Sequence, residues 1–157
     1  MDKIQQATTS HALEANTDRA LRALAAIPER TNLQLGITLC VHGMIISGFL
    51  ISEEAYFKGM IERVNQDDNA ADETKETLTD FMSDLRASLH AKSNDSQSVL
   101  PEYIHLQEAK MYPSQGQGMP SYGDALWRGR ISSVDGFSLG EILPTSLEGL
   151  TYAAFTK

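Results

Sequence analysis

Residues 33–51 read LQLGITLCVHGMIISGFLI and predict two antiparallel strands joined by a tight turn. In residues 33–41 apolar side chains alternate with polar or small ones, which is typical of a strand with one buried face. His42 and Gly43 then interrupt the pattern as a two-residue turn, in which glycine can adopt positive φ. Residues 44–51 are apolar on both faces, so we expect other elements to cover both faces of the second strand.

Helices are predicted on both sides of this pair of strands. Residues 10–27 form an N-terminal helix with a narrow apolar stripe, which ends before Pro28. Residues 53–92 form a helical insertion of two helices, and Ser52 is the predicted N-cap of the first. The second helix has an apolar face and, on its opposite side, a row of acidic residues. The residues of the apolar face are Leu78, Phe81, Met82, Leu85 and Leu89.

Three further strands are predicted in the second half of the chain, over residues 102–112, 125–133 and 137–142. Residues 113–124, rich in Pro, Gly, Ser and Gln, form a flexible loop between the first two of them. The dipeptide Asp135-Gly136 predicts a hairpin turn between the last two.

These elements predict an α+β domain over residues 1–143, followed by a C-terminal tail over residues 144–157. Its sheet is expected to have five mainly antiparallel strands and to be strongly bent, or to form a small half-open barrel, because Gly48 and Gly129 allow mid-strand bends. The N-terminal helix followed by five bent strands resembles the Sm-like order, with the two-helix insertion between strands 2 and 3.

Composition limits the classes of partner. The 157 residues carry a formal net charge of −8, which disfavours binding to nucleic acid and to anionic membranes. Cys40 is the single cysteine, so no internal disulfide can form, as is usual in a reducing compartment. The polar N-terminus has no signal-peptide pattern and no apolar run is long enough to span a membrane. We therefore expect a cytoplasmic protein.

A nucleophile motif is present but lies in the wrong context. Residues 136–140 read GFSLG and match G-x-S-x-G, which places Ser138 as the candidate nucleophile of a small hydrolase. That motif needs a strand before it, a helix after it and a histidine further along the chain. Here a turn precedes it, a strand follows it, and the last histidine is His105. We favour a turn followed by a strand, and no enzymatic activity.

Three side chains offer a weak metal-binding pattern. Cys40 and His42 are two residues apart, and His105 could join them from another strand to ligate zinc. No CxxC, HxxxH or HExxH spacing supports such a site. We interpret Cys40 as a buried thiol, His42 as a turn residue and His105 as a hydrogen-bonded residue of the sheet, and expect neither metal nor cofactor.

One concentrated cationic and aromatic feature is typical of a binding surface. Arg128 and Arg130 share a strand face next to Trp127, and in an acidic protein such a patch suits an anionic partner. With Asp135 and Phe137 they form the candidate protein-interaction surface. The alternative is two ordinary solvent-facing arginines.

Three segments resemble the gas vesicle accessory protein GvpU family. They are LQLGITLCVHGMIISGFLISEEAYF at 33–57, YIHL at 103–106 and LWRGRISSVDGFSLG at 126–140. The resemblance implies a non-enzymatic accessory protein that binds gas vesicle shell or accessory proteins, self-associates, or does both, and so assists vesicle assembly or clustering. It also implies a cytoplasmic location on gas vesicles and a homo-oligomer as one possible state.

The residues leave other functions open. The strand order allows an Sm-like ring that binds RNA, although the charge of −8 and the lack of a basic face disfavour it. Ser138 allows the hydrolase discussed above. Acidic helical faces and the arginine–tryptophan strand on one molecule also permit weak, salt-sensitive self-association.

Overall fold

The computed structural model describes residues 18–31, 33–93, 100–112, 125–145 and 149–152. These residues form an α+β fold with three helices and a five-stranded antiparallel sheet. The strands of the sheet are β1 (Gly36–Val41), β2 (Met44–Ile51), β3 (Tyr103–Tyr112), β4 (Trp127–Arg130) and β5 (Gly136–Leu139). Their spatial order is β4-β3-β2-β1-β5, and each neighbouring pair is antiparallel.

The predicted pair of strands is confirmed. β1 pairs with β2 from Gly36 opposite Phe49 to Val41 opposite Met44. The turn between them has positive φ at both positions, 51° at His42 and 79° at Gly43, which is the backbone of a type I′ hairpin. β1 begins three residues later than predicted, and the preceding Leu33 is 47% exposed.

The mid-strand irregularity expected at Gly48 is found as a β-bulge whose extra residue lies on the neighbouring strand β3. The register between β2 and β3 shifts between Ser47 and Phe49, so an extra residue of β3 lies opposite Gly48. A Cβ atom at Gly48 would lie 2.7 Å from the carbonyl oxygen of Gln107, too close for any residue but glycine. On the bulged strand, Glu108 has a φ of 50°.

The hairpin predicted at Asp135-Gly136 is wrong, because β4 and β5 lie on opposite edges of the sheet. The predicted strand over 125–133 is shorter, and residues 131–133 form one 3₁₀ turn that buries Ile131. The chain then crosses to β1, where the backbone N–H of Asp135 donates to the carbonyl of Cys40. Burial of Ile131 in the 3₁₀ turn thus outweighs the local preference of Asp135-Gly136 for a hairpin turn.

The sheet is open rather than closed into a barrel, since β4 and β5 do not pair. The half-open barrel and the Sm-like order stay predictions. Beyond the sheet, β6 (Ile142–Thr145) and β7 (Gly149–Tyr152) pair as a separate two-stranded sheet, so part of the predicted tail is regular structure. The division into a domain over 1–143 and a tail also stays a prediction.

The helices are α1 (Arg19–Ala25), α2 (Glu53–Gln66) and α3 (Asp72–Ser93). α1 begins at Arg19 because Asp18 is extended and its carboxylate accepts hydrogen bonds from the N–H groups of Ala20 and Leu21. The remainder of the predicted helix over 10–27, residues 10–17, lies outside the described residues, as does the predicted loop over 113–124. Ser52 caps α2 as predicted, accepting from the N–H of Ala55.

The core lies between one face of the sheet and α1. Its buried side chains come from α1, from β1 and the residue before it, from β2 and β3, and from the 3₁₀ turn; they are Leu21, Ala25, Leu35, Ile37, Leu39, Ile46, Leu50, Ile104, Leu106, Ala109 and Ile131. α3 contributes no side chain to this core and packs on α2. The two helices therefore form a helical hairpin outside the main core.

A chain of buried hydroxyls ties β1 and β2 to the segment after β5. Thr38 Oγ1 donates to the carbonyl of Gly140 over 2.8 Å, and the backbone N–H of Ile142 donates to Ser47 Oγ over 2.7 Å. The two hydroxyl oxygens lie 3.2 Å apart. Because the Thr38 proton is used on Gly140, Ser47 is the donor between them.

Candidate functional site

The five residues of the candidate surface fall into two groups on opposite edges of the sheet. Trp127, Arg128 and Arg130 belong to the edge strand β4. Asp135 precedes the other edge strand, β5, and Phe137 lies within it. A single contiguous patch of all five is therefore not formed, and the two edges must be considered separately.

Arg128 is held by residues of two other elements. Its Nε donates to Nε2 of His105, directly across from it on β3, over 3.1 Å. Its guanidinium lies 3.6 Å from the centre of the Tyr103 ring, and its Nη2 lies 3.9 Å from Oε2 of Glu53 at the start of α2. The side chain is 25% exposed. This arrangement ties α2 to the sheet edge.

His105 is an uncharged partner in this cluster. Its side chain is 4% exposed, and Tyr56 of α2 packs with a ring-centre distance of 5.0 Å. Burial first, and then the positive charge of Arg128, lower the pKa of His105 to about 3. A neutral imidazole that accepts at Nε2 carries its proton on Nδ1. His105 is thus a structural acceptor at neutral pH.

Arg130 and Trp127 differ sharply in accessibility. Arg130 is exposed, lies opposite Tyr103 on β3, and its guanidinium is 5.9 Å from the Tyr103 ring. Trp127 is half-buried and packs against the core. Its indole folds over Gly129, where an added Cβ would lie 2.1 Å from Cη2 of the ring. Arg130 is therefore the side chain of β4 that is free to meet a partner.

At the other edge, Asp135 and Phe137 have structural contacts. The Asp135 carboxylate accepts from the backbone N–H of His42 over 2.6 Å, which fastens the β1–β2 turn to the start of β5. Phe137 lies opposite Leu39 of β1 and is half-buried against the core. Both residues have a role within the fold before any partner is considered.

The candidate metal ligands are not brought together. Cys40 of β1 lies opposite Ile45 of β2, and Ile45 lies opposite Tyr112 of β3. Tyr112 is seven residues from His105, so Cys40 and His105 are separated by about 24 Å along the strand direction. In the described part of the chain, no group of three His, Cys, Asp or Glu side chains is placed to hold a metal ion. Ser138 lies inside β5, paired with Thr38, and not between a strand and a helix.

The sequence did not reveal the partners that hold Arg128. Tyr103 and His105 alternate on β3 with the spacing of one strand face, but nothing local says that β4 pairs with β3. Glu53 reads as an ordinary first-turn acid of α2, where it also suits the helix dipole. The one indication in the sequence that Glu53 could pair with Arg128 was its opposite charge.

Comparison with known proteins identifies the family. No helix among the described residues is long and apolar enough to cross a membrane. No curated protein and no solved structure matched the chain. A family model described as "Gas vesicle protein GvpU-like" matches residues 18–142, which include all five strands of the main sheet and both helices of the hairpin. The resemblance seen in the sequence is thereby confirmed, and the chain belongs to the GvpU-like family of gas vesicle proteins.

Proposed function

We propose that this chain is a non-enzymatic accessory protein that binds gas vesicle shell or accessory proteins, or further copies of itself, and so assists vesicle assembly or clustering. The observation that carries the proposal is the family match over residues 18–142. The arrangement of β4 adds a physical route, because an edge strand has unpaired backbone groups and here carries an exposed cation.

Arg130 is the centre of the proposed contact on β4. Arg128 is engaged with His105 and faces Glu53, so its charge is largely used within the fold. Arg130 has no carboxylate within 4 Å among the described residues, and its guanidinium remains available to an acidic surface. An acidic patch on a vesicle protein or on a second copy of this chain would suit it.

Flotation tests the proposal directly. Gas vesicles are buoyant, so a bound accessory protein rises with them during low-speed centrifugation. Purified protein is mixed with vesicles at two salt concentrations, and the floated fraction is analysed. We expect the wild-type protein to float with the vesicles, the Arg130→Glu variant to float less, and higher salt to reduce the wild-type fraction.

Arg30→Glu is the matched control, because Arg30 is also exposed but belongs to the segment between α1 and β1 and not to β4. Both changes alter the net charge equally. Removal of the gene, followed by electron microscopy of vesicle number and spacing, tests the role in cells. Absence of co-flotation together with unchanged vesicles after gene removal would refute the function.

The alternative, an Sm-like ring that binds nucleic acid, is the less favoured prediction. The net charge of −8 repels phosphate backbones, and Arg128 is already occupied. A gel-shift assay at low salt distinguishes the two functions: tight binding of an oligonucleotide would favour the ring.

A further inference from the structure

The helical hairpin exposes apolar side chains that the described part of the fold leaves uncovered. On α3, Leu78 is 39% exposed and Phe81 is 58% exposed, the highest value among the large apolar side chains of the described residues. Leu85 continues the same line at half burial. These three residues, spaced by three and four, form one continuous line on a helix surface and are called the apolar row here.

The contacts between the helices explain why the apolar row stays open. α3 meets α2 through polar contacts on a different side of the helix, where Thr79 donates to Oδ1 of Asn65 and Arg86 pairs with Glu54. Because successive residues of a helix are rotated by 100°, Phe81 lies on nearly the opposite side of α3 from both Thr79 and Arg86. The contact between α2 and α3 therefore does not cover the apolar row.

A row of carboxylates lies on the side of α3 away from Leu78, and only its last member borders the apolar row. Its members, Glu76, Asp80 and Asp84, form no ion pair with any residue in the described part of the chain. Asp84 follows Phe81 by three residues and is its neighbour on the helix surface. Residues 53–89 as a whole hold ten of the 21 acidic side chains and four of the 13 basic ones. The acidic character of the protein is concentrated on this hairpin.

We propose that the apolar row of α3 and the adjacent Asp84, on a hairpin with an excess of acidic side chains, dock a basic amphipathic helix of a partner protein. An amphipathic helix would bury apolar side chains against Phe81 and Leu78 and place lysines or arginines against Asp84. A second copy of this hairpin is a poorer occupant, because face-to-face packing would bring like-charged carboxylates together. The inference rests on the proposed function and adds a second contact, on a surface separate from Arg130, whose partner is basic.

Fluorescence anisotropy with labelled peptides tests the docking. The basic probe is a helix of about 18 residues, five turns, with leucines on one face and lysines on the other. The acidic probe replaces each lysine with glutamate, and a third probe scrambles the basic sequence so that no apolar face forms. We expect the full chain to bind the basic helix, and to bind the other two at least about tenfold more weakly.

Two variants locate the site. Phe81→Ser removes the most exposed member of the apolar row and should weaken binding about tenfold, while Leu33→Ser removes a side chain of similar exposure elsewhere and should leave binding unchanged. Asp84→Asn should weaken binding and flatten its salt dependence, and Glu62→Gln on α2 is its charge-matched control. Because all four residues are exposed, circular dichroism should report an intact fold.

The outcomes separate this inference from the proposed function. Equal binding of the basic and acidic probes, or unchanged binding by Phe81→Ser, overturns the docking site even when the protein still floats with vesicles. A dimer that Phe81→Ser converts to a monomer in light scattering identifies a second copy as the occupant and also overturns it. Probe binding without co-flotation would instead retain the docking site and reject the vesicle function.

Discussion

Arg128 Nε donates a hydrogen bond to His105 Nε2 over 3.1 Å, so an arginine that read as part of a binding face is bonded to a buried imidazole. The bond requires an unprotonated Nε2, and it joins the edge strand β4 to β3 beneath the start of α2. Protonation of His105 would replace an acceptor with a second cation facing Arg128. The cluster is therefore stable only while His105 is neutral.

Stability is expected to fall with acidification because of His105. Its pKa is lowered from 6.5 in an exposed reference to about 3 in the fold, so between these values the unfolded chain binds the proton and the folded chain does not. This contribution is complete above pH 6.5 and is lost as the pH falls from 6.5 toward 3. Between pH 7 and pH 5 urea denaturation should show a loss of about 2 kcal/mol from this residue.

The control for this effect is His105→Gln, whose side-chain oxygen can accept from Arg128 but does not titrate. The difference in free energy of unfolding between wild type and variant should change with pH over this range. A constant difference from pH 7 to pH 5 would show that His105 is protonated equally in both states.

Loss of one buried hydroxyl should destabilise the junction between the β1–β2 hairpin and the segment after β5. Ser47→Ala leaves the N–H of Ile142 without its acceptor at a site that is 1% exposed, which should cost about 1–3 kcal/mol in thermal or urea unfolding. Thr38→Val similarly leaves the carbonyl of Gly140 unpaired. Because the hydroxyls also contact each other, the double variant should lose less than the sum of the two; strict additivity would contradict the hydroxyl chain.

Gly48→Ala should destabilise the protein through backbone crowding at the bulge. The added Cβ would lie 2.7 Å from the carbonyl oxygen of Gln107, and neither strand can move without disturbing the ladder. We expect a loss of about 1–3 kcal/mol in the free energy of unfolding. Gly136→Ala is the matched control, because its Cβ meets no atom within 4 Å and should change stability by less than about 0.5 kcal/mol. Equal effects would argue against the close approach of β3 to Gly48 at the bulge.

The sequence predicted local features well and long-range pairing poorly. The period-two pattern at 33–51 and the glycines at 43 and 48 act between neighbours, so the turn and the bulge could be inferred. The partner of β5 depends on where Ile131 is buried, a tertiary effect that outweighed the turn signal at Asp135-Gly136. The candidate surface was divided for the same reason, since residues close in sequence ended on opposite edges.

Asp135→Ala should lower stability and leave vesicle association unchanged. Its carboxylate accepts from the N–H of His42, a non-glycine residue that has positive φ in the turn. Loss of this hydrogen bond at an exposed site should cost about 1 kcal/mol in urea unfolding. In the flotation assay the variant should match wild type below its melting temperature. Reduced flotation of the folded variant would instead assign Asp135 to the binding surface.

Gly129→Ala should move the indole of Trp127 and leave the sheet assembled. An added Cβ would lie 2.1 Å from Cη2 of Trp127, and a side chain can rotate away where a strand backbone cannot. Trp127 is the sole tryptophan of the chain, so its fluorescence reports on this position alone. We expect emission to shift to longer wavelength as the half-buried ring gains solvent contact, with little change in far-UV circular dichroism. An unshifted emission maximum would show that the indole does not lie over Gly129, and β4 would then present a different surface from the one described.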